Sequence, residues 1–548
     1  MTDPNSISRR RFVGAAATLA AASTLPVHRA NAEASIVARV QSPLPPFGLE
    51  EKTIGELSAS MKSGEWTAGD LVEQYLLRIE SMDQRGPTLK HIIEINGDAR
   101  SIAASLDAER KAGKVRGPMH GIPVLIKDNI DTADGMHTSA GSLALEDSIA
   151  ARDAHIVANL RAAGAVILGK TNLSEWANFR SSHSSSGWSG RGGQARNPYA
   201  LDRTPSGSSS GSGGAAASSY CAVAVGTETD GSVTSPSAAC SLVGMKPTIG
   251  LVSRSGIIPI AHSQDTAGPM ARNVTDAAIL LGVLAGRDAR DTATNRNTSA
   301  AHDYTRDLDA NGLKGARIGV ARKKYTGYSP AADAAFDAAL AVMKDRGAVI
   351  VDPADIATAG KFDDAEYEVL LYEFKADLQA YLAGLPAGAK ARTLDDLVAY
   401  NRAHAKEELP HFGQEIFELA AKKGPLTSTG YKKALAACGM LARTQGLDAT
   451  FANHRVDAIV APTQGPPSLI DLVNGDSGGG SSTSPCAVAG YPAITVPMGY
   501  HHGLPLGITF MGRAFAESTL LRLAFAYEQA TRHRVAPKYL PTAVITAP

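Results

Sequence analysis

The chain has 548 residues, 44% apolar and 20% charged, ordinary proportions for a globular protein with a large buried core. Lys plus Arg and Asp plus Glu both number 54, and a formal charge of zero argues against nucleic acid or an anionic membrane surface as a partner held by bulk charge. Four cysteines (Cys221, Cys240, Cys438, Cys486) are too few for a disulfide scaffold, lack paired metal-ligand spacing, and read as small core residues.

The chain opens on an address. Ser8-Arg9-Arg10-Arg11-Phe12 is basic, Gly14 to Leu25 is mildly apolar, and Ala30-Asn31-Ala32 has the small residues of a cleavage site. That order describes a secretory signal, and the apolar run is too short to span a membrane. The S-R-R-x-F pattern is that of a twin-arginine signal, which carries folded proteins across a bacterial inner membrane. The expectation is a signal over residues 1–32 and one domain over 33–548. The protein would be periplasmic or secreted, met by the twin-arginine export machinery and not stably inserted in a membrane. Removing residues 1–32 takes away four Arg and one Asp and leaves a net charge of −3.

Residues 33–50 carry prolines and read as an irregular leader. Thr67-x-x-Asp70 followed by Leu71, Val72, Tyr75, Leu76 and Ile79 predicts a capped amphipathic helix. His91 to Ile95 reads as a strand and Asp98 to Lys111 as a polar helix. Val124 to Ile126 is a buried strand ending at Lys127. A helix over 153–163 and a strand over 165–168 follow. The region 181–214 has 19 Ser or Gly among 34 residues, the composition of a flexible linker. Ala222 to Val225 reads as a strand. The β and α patterns resume over 318–351, 355–455 is helix-rich and polar, 458–461 and 494–496 are strands, and 517–532 is a closing helix. Alternation of this kind predicts an α/β fold, a single large domain whose mixed, twisted sheet is flanked by helices.

Three motif matches compete. Gly164 to Thr171 is a literal G-x-x-x-x-G-K-T, the phosphate-binding loop. Its middle residues, Ala-Val-Ile-Leu, favour an extended buried strand, so it reads as strand, turn and helix start. Gly207-Ser208-Ser209-Ser210-Gly211 matches the nucleophile elbow G-x-S-x-G, which needs a strand entering it. Asp202 to Ser206 are turn formers, and the late His501 and His502 needed for a Ser-His-Asp triad read as surface loop residues.

The third match is a constellation: Lys127 closing an apolar strand, Ser208 in the Gly/Ser loop, and Ser232 in Gly226-Thr227-Glu228-Thr229-Asp230-Gly231-Ser232. Gly121-Ile122-Pro123, Pro205 to Ser209, Gly244-Met245-Lys246-Pro247-Thr248 and Ala489-Gly490-Tyr491-Pro492 fall around it in order. At these residues the chain resembles the amidase signature family over about 53–535. The segments LSEWANFR (173–180), SGWSGRGGQARNPY (186–199), SQDTAGPMAR (263–272), LLYEFKADL (370–378) and FGQE (412–415) are similar to its bacterial peptide amidases.

The resemblance implies a Ser-Ser-Lys triad on the amidase signature fold, with no cofactor and no metal. Lys127 is the base, Ser232 the nucleophile and Ser208 the proton bridge between them, set after a cis Gly207–Ser208 bond. The oxyanion hole is implied at the backbone N–H groups of Thr229, Asp230, Gly231 and Ser232. An ordinary lysine is protonated at pH 7, so a lysine base must be desolvated. A lysine capping a strand into solvent is the bland alternative. Lys170 is the rival base and reads as structural. Two departures stand out: Asp230 and Thr234 replace the glycine and arginine usual in the family. The expected reaction is hydrolysis of a primary amide, the C-terminal amide of peptides in particular, on a small-molecule or peptide substrate. The alternatives are a general or aryl acylamidase, a cytoplasmic glutaminase component of an amidotransferase, and a non-catalytic periplasmic binding protein.

Overall fold

A computed structural model describes residues 47–297, 302–386 and 388–545. The expected signal at 1–32 and most of the leader lie outside the described residues. Thr67 caps α1 (Ala68–Ile79) through the predicted box: its hydroxyl accepts from the Asp70 N–H at 3.0 Å while its own N–H donates to Asp70 Oδ2 at 2.8 Å. The apolar stripe Leu71, Val72, Tyr75 and Ile79 is buried. There follow β1 (Ile92–Ile95), α2 (Ala99–Lys111), β2 (Pro123–Lys127), α3 (His155–Ala162) and β3 (Val166–Thr171). At the literal phosphate-loop match the fold corrects the expected strand, turn and helix start. The strand runs unbroken through Gly169, Lys170 and Thr171, every residue buried, because β1 and β2 pair with it on both sides.

The Gly/Ser region is also no linker. It forms a small hairpin, β4 (Trp188–Ser189) with β5 (Gly193–Gln194), and then α4 (Ser210–Ala217), whose eight residues are all buried. Small side chains let this helix pack closely on the sheet, a tertiary gain that overrides the poor helix propensity of glycine and serine. Next come β6 (Val223–Glu228), α5 (Thr234–Ala239), β7 (Val243–Lys246), β8 (Thr266–Ala271), α6 (Val274–Leu284), β9 (Arg317–Val320), α7 (Pro330–Asp345) and β10 (Val349–Val351). The polar region supplies α8 (Asp363–Ala383), α9 (Leu394–Ala403), α10 (Glu415–Ala421) and α11 (Thr429–Cys438). The chain closes with β11 (Ala458–Pro462), α12 (Ser484–Ala489), β12 (Ala493–His501), β13 (Leu504–Met511) and α13 (Glu517–Thr531).

Eleven strands form one mixed sheet in the order β1-β3-β2-β6-β8-β7-β12-β13-β11-β9-β10. The β3-β2-β6 and β11-β9-β10 runs are parallel; the centre between them is antiparallel. This is the single large α/β domain expected. Strand β8 went unforeseen because Pro269 sits inside it, opposite Val225, where a central strand rarely tolerates proline. His501 and His502 are exposed at the β12–β13 turn, and all four cysteines are buried and free. Helices α8, α9 and α10 bury Phe374, Leu378, Leu397 and Phe417 with Trp176, Ile258 and Ile260, so the polar region forms a cover with a core of its own.

Candidate active site

Strands β2 and β6 are parallel neighbours, with Ile126 opposite Val225, so Lys127 is delivered beside Thr227. Its side chain is fully buried. Nζ lies 2.7 Å from Ser208 Oγ, 2.9 Å from Thr227 Oγ1 and 3.3 Å from Thr227 O. Burial pulls its pKa from 10.5 to about 7, against Asp265 and Glu228, whose charges favour the ammonium. As an ammonium, Lys127 donates to all three oxygens. As an amine, it gives two N–H groups to Thr227 and keeps its lone pair for the Ser208 hydroxyl. Asn129 Nδ2 also donates to Thr227 Oγ1, at 3.0 Å, and holds that hydroxyl in place.

Ser208 is fully buried and follows a cis Gly207–Ser208 bond. A Cβ at 207 would stand 2.9 Å from Ser186 Oγ, so only glycine fits that approach. The N–H of Ser209 donates to Ser232 O at 3.1 Å, and Ser209 Oγ donates to Thr227 O at 3.1 Å. These bonds stitch the Ser208 loop to the turn that carries Ser232.

That turn is held from three sides. Glu228 accepts the N–H groups of Val233 (2.8 Å) and Thr234 (2.9 Å) and the Thr234 hydroxyl (3.1 Å). Thr234, standing where the family carries arginine, thus binds the buried carboxylate with a hydroxyl. Thr229 Oγ1 donates to Asp265 at 2.6 Å, and Asp265 also accepts from the Ile260 and Ala261 N–H groups at 2.8 and 2.9 Å. Burial raises the Asp265 pKa to about 6. On the third side, Asp230 accepts from Thr483 Oγ1 (2.5 Å) and Ser484 Oγ (2.6 Å). Gly231 has φ +80°; a Cβ there would lie 2.9 Å from Ser235 Oγ and 3.0 Å from Thr483 Oγ1. Ser232 keeps 8% exposure just ahead of α5.

Lys127 and Ser208 are thus in direct contact. Ser232 joins them through the backbone of Ser209, and residues 229–232 form the turn in front of it. Lys170 stands elsewhere, donating to Ile130 O (2.7 Å) and Thr138 Oγ1 (2.9 Å), a buried structural tie. Sequence reading passed over Asn129, Thr227, Glu228 and Asp265. Each lies in or beside a recognised segment, but only the fold shows what it touches. A cavity of about 360 Å³ borders Thr227 and Thr229 and is walled by Ile258, Ile260, Asp377 and Tyr381. Among the described residues, His262 and Asp377 of its lining, with the buried Glu373, have the types to hold a metal. Each already has a partner: His262 Nδ1 is 2.8 Å from Asp377, and Glu373 accepts from the Tyr431 hydroxyl at 2.7 Å.

The site thus sets a buried lysine bonded to a serine on a mixed sheet, beside a Gly-Ser turn. The amidase family model matches residues 70–521. The chain belongs to the amidase signature family. It is 39% identical over 504 residues to a probable amidase of Arabidopsis thaliana, covering 90% of this chain and 93% of that one. It is 38% identical over 491 residues to a putative amidase of Arthroderma benhamiae, covering 85% of this chain and 79% of the other. The crystal structure of the native peptide amidase from Stenotrophomonas maltophilia is similar at TM-score 0.86 and 49% identity, covering 90% of this chain and 99% of that one. The protein is an amide-hydrolysing enzyme.

Proposed function

We propose that this enzyme hydrolyses primary amides, the C-terminal amide of peptides in particular, to carboxylate and ammonia through an acyl-enzyme on Ser232. The observation that carries the reading is the 2.7 Å bond from a fully buried Lys127 to Ser208, with a lysine pKa of about 7. A serine hydroxyl needs a base that is neutral at working pH. Ser232 Oγ attacks the carbonyl carbon as its proton passes to Ser208, whose own proton passes to Lys127. The tetrahedral oxyanion is stabilised by backbone N–H groups of Thr229, Asp230, Gly231 and Ser232; losing one such donor typically costs about 10²–10³ in rate. The proton returns through Ser208 to the departing nitrogen, and ammonia leaves. Water enters by the same relay and frees the acid. The 49% identity to a peptide amidase supports the substrate class.

Ammonia release from a dipeptide amide tests the roles. Lys127→Ala and Ser232→Ala abolish it, and Ser208→Ala folds but is badly impaired; full activity in either of the first two removes the mechanism. Peptide amides, amino acid amides and anilides measured side by side test the substrate. Equal or faster turnover of small amides or anilides makes the enzyme a general acylamidase. We also propose export by the twin-arginine route, on the motif at Arg9 and Arg10. Replacing both with lysine retains the enzyme in the cytoplasm on fractionation, and undiminished export overturns that route.

A further inference from the structure

Asp230 stands two residues before Ser232, where glycine would suffice for a turn. Its carboxylate does not face solvent as a spare charge. One oxygen takes the Thr483 hydroxyl at 2.5 Å and the other the Ser484 hydroxyl at 2.6 Å. These two residues end the Ser/Gly run 477–484 and begin α12. Thr483 also rests directly on the nucleophile turn, since a Cβ on Gly231 would come within 3.0 Å of its hydroxyl. Glu366 of the covering helix α8 takes the Gln264 Nε2 N–H at 2.8 Å. Burial and the neighbouring Asp230 charge push the Glu366 carboxyl well above the usual range. Gln464, just after β11, donates to Ser235 O at 3.2 Å, just past Ser232. Two hydroxyl donors from adjacent residues of one loop therefore converge on one carboxylate beside the reacting serine.

We propose that the Asp230 side chain is a positioning residue: it clamps the 477–484 loop onto the nucleophile turn and so fixes the direction of the N–H groups at 229–232. The proposal deepens the reading above and rests on Ser232 being the nucleophile. Charge-assisted O–H···O⁻ bonds are short and about twice as strong as neutral ones, which suits a clamp on a glycine turn. A carboxylate that acts this way aims backbone dipoles and never touches the substrate. Its loss lowers kcat and leaves KM nearly unchanged, because the misdirected donors are needed most when charge develops on the oxygen.

Two hydroxyl-deleting variants on the loop, Thr483→Val and Ser484→Ala, test this away from the turn itself. Together they lower kcat on a dipeptide amide about 10- to 100-fold with KM within about twofold, a smaller loss than removing a whole oxyanion donor. Thr483→Ser, which keeps the hydroxyl, retains kcat within about twofold. In an Asp230→Gly background, adding Thr483→Val costs no more than about twofold, since the partner is already gone. Unchanged kcat in the double variant, or losses that simply multiply with Asp230→Gly, overturns the clamp. If Asp230→Gly fails to fold, the contrast of Thr483→Val with Thr483→Ser decides alone. Phenylmethanesulfonyl fluoride labelling, read by peptide mass, separates the two levels of the argument. Label on Ser232 at an undiminished rate in the variants overturns the clamp only. No label on wild-type Ser232 overturns the nucleophile and the clamp with it.

Discussion

In the proposed mechanism Lys127 works through a proton it must not already hold. With its pKa at about 7, the neutral fraction falls tenfold per pH unit below that value. The kcat/KM profile therefore drops in acid and reaches a plateau above about pH 8; a flat profile down to pH 4 contradicts a lysine base. Stability carries the same signature. The unfolded lysine titrates near 10.4, so between about pH 7 and 10 the unfolded state binds more protons and stability rises with pH. Lys127→Met is free of that cost, and its stability advantage over wild type in urea melts narrows as pH rises from 7 to 10. An advantage that widens over that window would mean the ammonium is not disfavoured by the fold.

Among the elements, local rules hold where the element is local. Thr67 closes a capping box that its own hydroxyl and Asp70 complete. Thr67→Ala is expected to cost about 1 kcal/mol in urea unfolding without changing kcat, because the cap lies far from the site in sequence and role. The same rules fail where neighbours decide. Gly169-Lys170-Thr171 is a strand because β1 and β2 flank it, not a phosphate loop. Ser210 to Ala217 is a helix because it is buried, not a linker. Strands β2, β6 and β11 are legible as short apolar runs, but β8, with its proline, is not.

Across the molecule, the cover is bolted to the Gly/Ser region by Arg180. This side chain is fully buried, pairs with the equally buried Glu175, donates to Glu408 O at 2.7 Å and lies 4.3 Å from the Phe412 ring centroid. Arg180→Met leaves the carboxylates of Glu175 and Glu408, the latter 3.7 Å from the guanidinium, in the interior without their cation. Breaking a buried pair from one side costs about 3–5 kcal/mol, read from urea unfolding. A loss below about 1 kcal/mol would mean that the carboxyls are neutral without it.

Residue order along the chain already marks the parts proposed to react: a lysine at the end of an apolar strand, two serines in glycine-rich turns, and an ordered set of segments around them. Those are local patterns, and their chemistry constrains residue type and order. Which groups surround them is settled only when the chain folds. Thr227 orients the amine, Asp265 and Glu228 pull its pKa upward, and Asp230 binds a loop some 250 residues away. Such partners come from strands and helices that meet only on folding, and no periodicity along the chain records the meeting. The glycine excess shows both levels at once. Composition marks the region as loose, and burial against the sheet makes it the frame that carries Ser208 and is bonded to Ser232.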